Sequence, residues 1–360
     1  MRTDQSNKLD FDGQNIYVGI DVHSKSWSVA VLSEQVVLKK FSQSPEPEAL
    51  HRFLITNYPG ATYLSVYEAG FCGFWIHERL TRLGIVNIVV NPADVPTMLR
   101  EKLRKTDAVD CSKLARGLRA GDLRGIYVHD AQSREIRSLI RLRGMIVKDL
   151  TREKNRIKSL LYFHGIKLPE QFARPNTHWS GRFMQWLAGL ELATGYGRKT
   201  LDLYIEQFAN LRGMLLQETR EIRALSRSES LREAMRLITS VPGIGVTTGI
   251  SFLTEIGDIR RFKDACHLAS YVGLIPMCHS SGEKEGAGEI TIRKHAMLRS
   301  YIVEAAWKAV RCDPAITMVY QQYCKRMHPN KAIVKIARKL VNRIFFVLKR
   351  KQEYVHCMVK

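Results

Sequence analysis

The first 120 residues alternate short apolar runs with amphipathic segments, and this alternation limits the fold more than any other feature of the sequence. Residues 16–32, IYVGIDVHSKSWSVAVL, have the composition of two strands joined by a polar turn, which predicts a β-hairpin. Further strands are predicted near residues 36–41, 62–67 and 86–90, and helices over 47–58, 74–83 and 108–120. Strands that come first and then alternate with helices indicate a mixed α/β sheet with helices packed on it.

Two longer segments in the middle of the chain have helical periodicity. Residues 131–164 place apolar side chains on a seven-residue seam, which ends at Gly165 and Pro169. Residues 201–225 alternate steps of three and four, as a coiled coil requires. We predict that these helices form an antiparallel hairpin or a dimer seam, and ordinary bundle core explains the same spacing comparably well. Residues 170–199 are predicted to be irregular.

The last third of the chain is predicted to be a separate helical unit. Helices are predicted over 231–239, after VPGIGVTTG to about residue 256, and over 295–312, 314–326 and 331–350. Gly243 and Gly245, in VPGIGVTTG, allow a tight turn between the first two of these helices. Exposed backbone amides at such a turn would bind phosphate, as in a helix-hairpin-helix, although a plain helix–helix connection has the same pattern. The sequence therefore predicts three domains, residues 1–130, 131–229 and 230–360.

The positive charge of the chain is concentrated in two segments. Lys and Arg number 56 against 35 Asp and Glu, which gives a net charge of +21. Residues 1–99 carry −2 and residues 159–290 carry +1, whereas residues 100–158 carry +9 and residues 291–360 carry +13. A merely solvated helical surface would mix both signs to limit self-repulsion. The excess therefore predicts nucleic-acid binding, in which basic side chains neutralise phosphates and release counterions.

Composition also sets an expectation for the cellular compartment. No segment approaches the roughly 18 apolar residues of a membrane span, and MRTDQSNKLDFDG has no apolar signal core. Seven cysteines without a CxxC pair fit a reducing environment better than a disulfide framework. We therefore expect a cytoplasmic protein that has no membrane partner.

Four acidic residues are placed where metal-dependent chemistry would need them. Asp21 and Glu68 end predicted strands, and Asp107 and Asp110 share one face at the start of the basic helix. Phosphodiester cleavage can use two divalent cations, and Mg²⁺ prefers such hard oxygen ligands. Taken singly, each acid is explained equally well as a turn residue, a helix cap or a surface acid. Lys105, close to Asp107, suits a phosphate contact.

A second candidate site lies in YVGLIPMCHSSGEKEGAGEITIRKHAMLR. Ser280 and Ser281 stand in a glycine-rich stretch, predicted to be a mobile loop, before a cationic helix. A serine there could attack a phosphate if a metal or a base activated its hydroxyl group, but the pattern by itself is better explained as a flexible polar loop. The basic residues that follow, candidates for binding nucleic acid, are Arg293, Lys294 and Arg299.

Taken in order, these motifs resemble the DEDD transposases of insertion sequence family 110, including its 1111 subgroup, the recombinases guided by a bridge or seeker RNA. GIDVHSKSWSVAVL is similar to the first aspartate motif and YEAGFCGFWIHERL to the glutamate motif. VVNPADVPTMLREKLRKTDAVDCSKLA resembles the motif with paired aspartates. ITSVPGIGVTTGISFLTEIGDIRRFKDACHLASYVGLIPMCHSSG resembles the second domain, whose catalytic serine precedes a glycine. One departure is IRKHAMLR at 292–299, where relatives often have a lysine and then Gly-Asn before Leu-Arg.

The resemblance implies a fold, a site and partners. The implied fold is α/β plus all-α: an RNase H-like (RuvC-like) mixed sheet domain, a long helical coiled-coil insertion and a helical C-terminal domain with a helix-hairpin-helix. The implied cofactor is Mg²⁺, as two ions that Mn²⁺ can replace. The implied partners are target and donor DNA, a noncoding guide RNA and further copies of the chain in a tetramer built from dimers. The implied catalytic residues are Asp21, Glu68, Asp107, Asp110 and Ser281, with Ser280 as the alternative serine.

Three other interpretations compete with a recombinase that forms a covalent phosphoserine intermediate. A metal-dependent nuclease of the Holliday-junction type would use the carboxylates and leave Ser281 structural. A noncatalytic DNA-binding protein would use only the basic segments. A sugar-kinase or actin fold also opens with an aspartate on a strand-turn-strand, but Val22 and His23 stand where its phosphate loop needs glycine.

Overall fold

A computed structural model gives the fold and describes residues 11–97, 106–281 and 284–355. The chain divides into two compact units, residues 1–128 and residues 129–360. The predicted division into three domains, residues 1–130, 131–229 and 230–360, stays a prediction. Within the described ranges, no helix is both long enough and apolar enough to cross a bilayer.

The first unit is built on a five-stranded sheet in the order β3-β2-β1-β4-β5. Strands β1, β2 and β3 are antiparallel neighbours, and β4 and β5 run parallel to β1. The strands are β1 Asn15–Val22, β2 Trp27–Leu32, β3 Val37–Gln43, β4 Thr62–Glu68 and β5 Val86–Val90. The predicted hairpin and mixed sheet are therefore confirmed, and this architecture is compatible with an RNase H-like domain.

Helices cover both faces of this sheet because alternate residues of β1 point to opposite sides. Ile16, Val18 and Ile20 are fully buried in a core formed with the helices α1 Pro47–Asn57 and α2 Trp75–Arg82. The other face carries Tyr17 and Gly19 and is covered by helix α3, Asp107–Ala120.

The contact between α3 and β1 is unusually close. A Cβ atom built on Gly19 would lie 2.0 Å from the carbonyl oxygen of Cys111 and 2.5 Å from the backbone nitrogen of Ala115. Only glycine allows the helix backbone to lie directly on the strand at this point. The position of α3 on the sheet is therefore fixed by one residue of β1.

The second unit begins with two long helices, α4 Ala131–Phe163 and, after the short helix α5 Gly181–Ala188, α6 Gly195–Leu225. The Arg143 Nε atom donates a hydrogen bond to Thr219 Oγ1 over 3.3 Å. Further along α4, the Lys154 ammonium lies 6.0 Å from the centre of the Phe208 ring. The two helices are therefore antiparallel, one of the arrangements predicted.

Residues 170–199 were predicted to be irregular, and this prediction is wrong for α5 and for the first residues of α6. The Ser180 hydroxyl group accepts a hydrogen bond from the backbone nitrogen of Phe183 and begins α5. Phe183 and Leu187 are then fully buried in the core between the long helices. Eight residues give too short an amphipathic pattern to be recognised, so the tertiary contact decides the structure here.

The remaining helices pack around one large core. They are α7 Glu229–Thr239, α8 Val246–Ile256, α9 Ala265–Val272, α10 Ala296–Cys312, α11 Pro314–Cys324 and α12 Pro329–Arg350. Between α9 and α10, the strands β6 Pro276–Ser281 and β7 Lys284–Ile290 form an antiparallel hairpin. Most of the predicted loop therefore has strand structure, and Gly282 and Glu283 lie outside the described residues. The backbone nitrogen of Thr291 donates to the Ile275 carbonyl over 2.9 Å and closes the base of the hairpin, a long-range constraint that local sequence does not reveal.

Candidate active site

The two strand-borne acids lie side by side on the sheet. In the parallel pairing of β1 with β4, Gly19 is opposite Val66 and Ile20 is opposite Tyr67. Asp21 and Glu68 are the next residues of their strands, and each lies two positions beyond a residue of the α3-covered face. Both carboxyl groups therefore belong to the face on which α3 packs.

The two helix-borne acids stand in the first turn of α3, after the extended N-cap residue Thr106. Acidic side chains are favoured there by the partial positive charge of the helix N-terminus. Because Gly19 lets α3 lie directly on β1, this turn reaches the ends of β1 and β4. The structure thus brings Asp21, Glu68, Asp107 and Asp110 to one place.

A histidine joins two of these acids. His23 Nε2 lies 3.3 Å from Asp21 Oδ2 and 3.5 Å from Asp107 Oδ2. One ligand atom from each of the three side chains lies within 4.8 Å of the other two. The Asp21 side chain is 24% exposed and that of Asp107 is 62% exposed, so this half of the cluster is open to solvent.

A lysine joins the other two acids. Lys113 Nζ lies 3.1 Å from Asp110 Oδ1 and 3.6 Å from Glu68 Oε1. Its side chain is only 11% exposed, so the ammonium is held inside the cluster. Lys113 stands three residues after Asp110, so both side chains project from the same face of α3.

The electrostatics of Asp21 show that the acids act on one another. Burial raises the pKa of Asp21 above its ordinary value, and the nearby Asp107 and Asp110 raise it further. His23 opposes this rise through its charge and its hydrogen bond. A carboxyl group whose ionisation is disfavoured by its neighbours is stabilised by an added cation.

The donor set fits a divalent cation. Carboxylate oxygens are the ligands that Mg²⁺ and Mn²⁺ prefer, and a few suffice when water fills the remaining positions. Cationic or potentially cationic nitrogen atoms already stand among all four carboxyl groups. The four acids therefore have the donor chemistry of a divalent-metal site, and among the described residues Asp21, His23 and Asp107 also have the spacing of one.

Sequence reasoning missed His23 and Lys113. His23 lies two residues beyond Asp21, and Lys113 lies three residues beyond Asp110 on a helix. Both spacings were available as signals that these nitrogens face the same way as the acids. The spacing does not show that His23 also contacts Asp107 or that Lys113 also contacts Glu68, since both contacts depend on how α3 packs on the sheet.

The candidate serines lie in the second unit, on a strand. Ser281 is the last residue of β6, with Ser280 before it, and their backbones pair with Lys284 and Glu285 of β7. The carboxylate cluster is in the first unit. Lys105, the predicted phosphate contact, lies outside the described residues.

The two glycines of VPGIGVTTG have different surroundings. Gly243 has a φ of +84°, and a Cβ atom there would lie 2.2 Å from the Ala305 carbonyl oxygen of α10. Gly243 is therefore required for the packing of this turn. Gly245 is exposed, caps the N-terminus of α8 and has no atom close to the position of a Cβ. Of the two glycines, Gly245 is the one whose surroundings leave room for a phosphate.

The basic residues after the hairpin also have structural contacts. The Arg299 guanidinium donates to the Thr291 carbonyl over 2.8 Å at the end of β7. Gly273 has a φ of +85°, and a Cβ atom built on it would lie 2.4 Å from the Cβ atom of Lys294. Glycine at position 273 therefore leaves room for the Lys294 side chain. Arg293 and Lys294 are exposed, whereas Arg299 is half-buried. Exposure favours the first two as nucleic-acid contacts.

Replacing Lys113 by methionine is expected to make the stability of the first unit depend on divalent cations. Methionine removes the ammonium that separates Glu68 from Asp110, and we expect a loss of about 1 kcal/mol in the metal-free protein after allowance for solvent screening. Added Mn²⁺ should then raise the unfolding temperature more than in the unchanged protein. Thermal unfolding with and without Mn²⁺ measures both effects, and Lys25→Met, at an exposed turn position, is the control. An equal response to Mn²⁺ in both proteins would contradict this role of Lys113.

Comparison with known proteins adds an independent finding. Residues 18–165 match the DEDD transposase family of IS110, and residues 235–321 match the transposase IS116/IS110/IS902 family. A putative transposase, y4qE, of Sinorhizobium fredii is 29% identical over 67% of this chain and 57% of its own length. The transposase for insertion sequence element IS1111A of Coxiella burnetii is 24% identical over 80% of this chain and 78% of its own length. The transposase for insertion sequence element IS1533 of Leptospira borgpetersenii is 23% identical over 82% of this chain and 85% of its own length.

Proposed function

Because the chain belongs to the DEDD transposases of the IS110 family, we propose that it cleaves and rejoins DNA strands during transposition. The observation that carries this proposal is the convergence of four acids from two strands and one helix. Asp21, Glu68 and the pair Asp107 and Asp110 lie far apart in the sequence. In the structure His23 joins Asp21 to Asp107, and Lys113 joins Glu68 to Asp110, within hydrogen-bonding or ion-pair distance.

The four carboxylates would hold divalent cations, which we propose are two Mg²⁺ ions that Mn²⁺ can replace. When bound, such ions activate the attacking oxygen and stabilise the leaving oxygen of a phosphodiester. The chain itself supplies the geometry: β1 and β4 fix two carboxyl groups, and α3 adds the other two. Lys113 holds Glu68 and Asp110 in position.

Ser281 is proposed as the nucleophile. Its hydroxyl oxygen would form a bond to phosphorus, the bond from phosphorus to a deoxyribose oxygen would break, and the hydroxyl proton would be transferred to that leaving oxygen. Attack by another strand's hydroxyl would then release the serine. The position of Ser281 as the last residue of β6 supports this role, and Ser280 is the alternative.

DNA and a noncoding guide RNA are the proposed nucleic-acid partners. The basic excess in residues 100–158 and 291–360 supports binding of several phosphate backbones. We further propose that the turn before α8 acts as a helix-hairpin-helix, through the exposed N-terminus at Gly245. Arg293, Lys294 and Arg299 follow the serine hairpin and would add contacts to the DNA.

The helix pair of α4 and α6 is proposed to act as a coiled-coil insertion that joins copies of the chain. A tetramer built from dimers would allow the serine of one subunit to meet the carboxylates of another. Exposed apolar side chains on both helices support an association of this kind, and they include Met145, Leu203, Met214 and Leu216.

Trapping the covalent intermediate tests the serine chemistry. The protein is expressed with its own flanking DNA and denatured rapidly, and DNA-linked protein is analysed by mass spectrometry. We expect a phosphodiester on Ser281, its loss in Ser281→Ala and its persistence in the matched control Ser280→Ala. Normal transposition by Ser281→Ala would favour a metal-dependent nuclease with a structural serine.

Two further measurements separate the remaining parts of the proposal. Asp21→Asn is expected to keep DNA binding and to lose cleavage, whereas full activity would favour a noncatalytic DNA-binding protein.

Sequencing the RNA that copurifies with the chain tests guidance. A discrete noncoding RNA from the flank of the element is expected, and random cellular RNA would contradict a guide.

A further inference from the structure

His23 is not one of the four acids of the proposed site, yet it stands among them. It begins the turn after β1, where its backbone nitrogen donates to the Ser26 carbonyl over 3.2 Å. This turn directs the imidazole back toward Asp21 and α3. Nε2 is 3.3 Å from Asp21 Oδ2 and 3.5 Å from Asp107 Oδ2, and half of the side chain is exposed.

We propose that His23 Nε2 is a ligand of the divalent cation held by Asp21 and Asp107, and that it lets Mn²⁺ replace Mg²⁺ at this position and bind more tightly. The inference rests on the proposed metal-dependent function and deepens it. Imidazole nitrogen is a good ligand for first-row transition metals, whereas Mg²⁺ prefers an all-oxygen environment with water.

The spacing of the three ligand atoms supports coordination. They lie within 4.8 Å of one another. Ligands on opposite sides of an ion with bonds of about 2.1 Å are about 4.2 Å apart, so a shift of a few tenths of an ångström suffices. His23 lies in an exposed turn after β1, so its side chain can shift by this distance without moving the sheet.

An ion pair alone explains the arrangement less well. Pairs between exposed side chains contribute little, and the side chains of His23 and Asp107 are 50% and 62% exposed. The other half of the cluster differs, because the nearly buried Lys113 already supplies a positive charge to Glu68 and Asp110. In the half without a lysine, a metal ion with a nitrogen ligand would supply the positive charge that the two acids lack.

Electron paramagnetic resonance of Mn²⁺ added to the full-length protein tests the inference without an activity assay. In the unchanged protein we expect tight Mn²⁺ and a nitrogen coupling from imidazole in the pulsed spectrum. His23→Asn should lose the nitrogen coupling and bind Mn²⁺ about tenfold more weakly, with Mg²⁺ affinity unchanged. His51→Asn, a change to a partly exposed histidine of α1, should match the unchanged protein.

A second variant separates ligation from a structural role. His23→Asp replaces nitrogen by oxygen, and we expect it to bind Mg²⁺ as well as Mn²⁺ while the nitrogen coupling disappears. An unchanged nitrogen coupling in His23→Asn, or an equal loss of both metals, would overturn the inference while leaving the proposed function intact. Failure of the unchanged protein to bind Mn²⁺ or Mg²⁺ would instead overturn the proposed function and the inference with it.

Discussion

Replacing Gly19 by alanine is expected to lower the rate of DNA strand cleavage about 100-fold and to destabilise the first unit by about 3 kcal/mol. The added methyl carbon would lie 2.0 Å from the Cys111 carbonyl oxygen and 2.5 Å from the Ala115 nitrogen. Both are backbone atoms, so no side chain can rotate away, and α3 itself must shift. That shift would carry Asp107 and Asp110 away from Asp21 and Glu68.

Urea denaturation and cleavage kinetics measure the two effects in the same variant. Gly144→Ala is a matched control, because Gly144 lies in α4 and nothing lies near the position of its Cβ. We expect that control to be neutral or slightly stabilising, as alanine is the better helix former. Mn²⁺ affinity should fall only in Gly19→Ala. A Gly19→Ala protein with unchanged stability and unchanged metal affinity would show that α3 does not rest on β1.

The acids of the site were predictable because strand ends and helix starts are readable from sequence. Asp21 and Glu68 end apolar runs, and Asp107 opens an amphipathic segment. Their convergence was a hypothesis at that stage, since it depends on β1 pairing with β4 and on the closeness of α3 to Gly19. The positions of the acids at strand ends and at a helix start raised that hypothesis, and the family resemblance supported it.

The parts that were not predictable depend on contacts between distant residues. Helix α5 is eight residues long and is held by the burial of Phe183 and Leu187 between the long helices. The hairpin of β6 and β7 has a glycine-rich second strand, KEGAGEI, which has low strand propensity. Its base is fixed by the hydrogen bond between Thr291 and Ile275, so tertiary structure overrides local preference.

Glu255 was also invisible at the sequence level, because its importance comes from complete burial. It lies on α8 with no exposed surface and accepts hydrogen bonds from Arg137 over 2.7 and 3.0 Å and from Arg141 over 2.7 and 3.0 Å. The imidazole of His295, the N-cap residue of α10, lies 3.1 Å away through Nε2. One carboxylate thus connects α8 to α4 and to the segment after the serine hairpin.

Replacing Glu255 by alanine is expected to destabilise the second unit by about 3–5 kcal/mol. The change leaves two guanidinium groups facing each other without their counter-charge, and Arg137 is only 14% exposed. Denaturation in urea at neutral pH measures the loss. Glu206→Gln, at an exposed position of α6, should stay within about 0.5 kcal/mol of the unchanged protein. A Glu255→Ala protein as stable as this control would contradict the role of the network.

The same network predicts how the second unit responds to acid. Burial alone would raise the pKa of Glu255, but hydrogen bonds from His295, Arg141 and Arg137 hold it well below its ordinary value of 4.5. Its contribution to stability is therefore complete above pH 4.5 and is lost progressively as the pH falls below that value. His129 affects stability at a higher pH than Glu255 does, because burial and the charges of Arg137 and Arg261 lower its pKa from 6.5 to about 4.

A histidine with a depressed pKa stabilises the folded state while it is neutral, so its contribution is lost as the pH falls from 6.5 toward 4. We therefore expect the urea midpoint of the second unit to decline first in this range and again below pH 4.5. His129→Gln should remove the first decline and keep the second, whereas Glu255→Gln should remove the second. Unchanged pH profiles in both variants would show that other groups cause the acid sensitivity. If each variant loses only its own decline, His129 and Glu255 respond to acid independently, although the charge of Arg137 lowers the pKa of both.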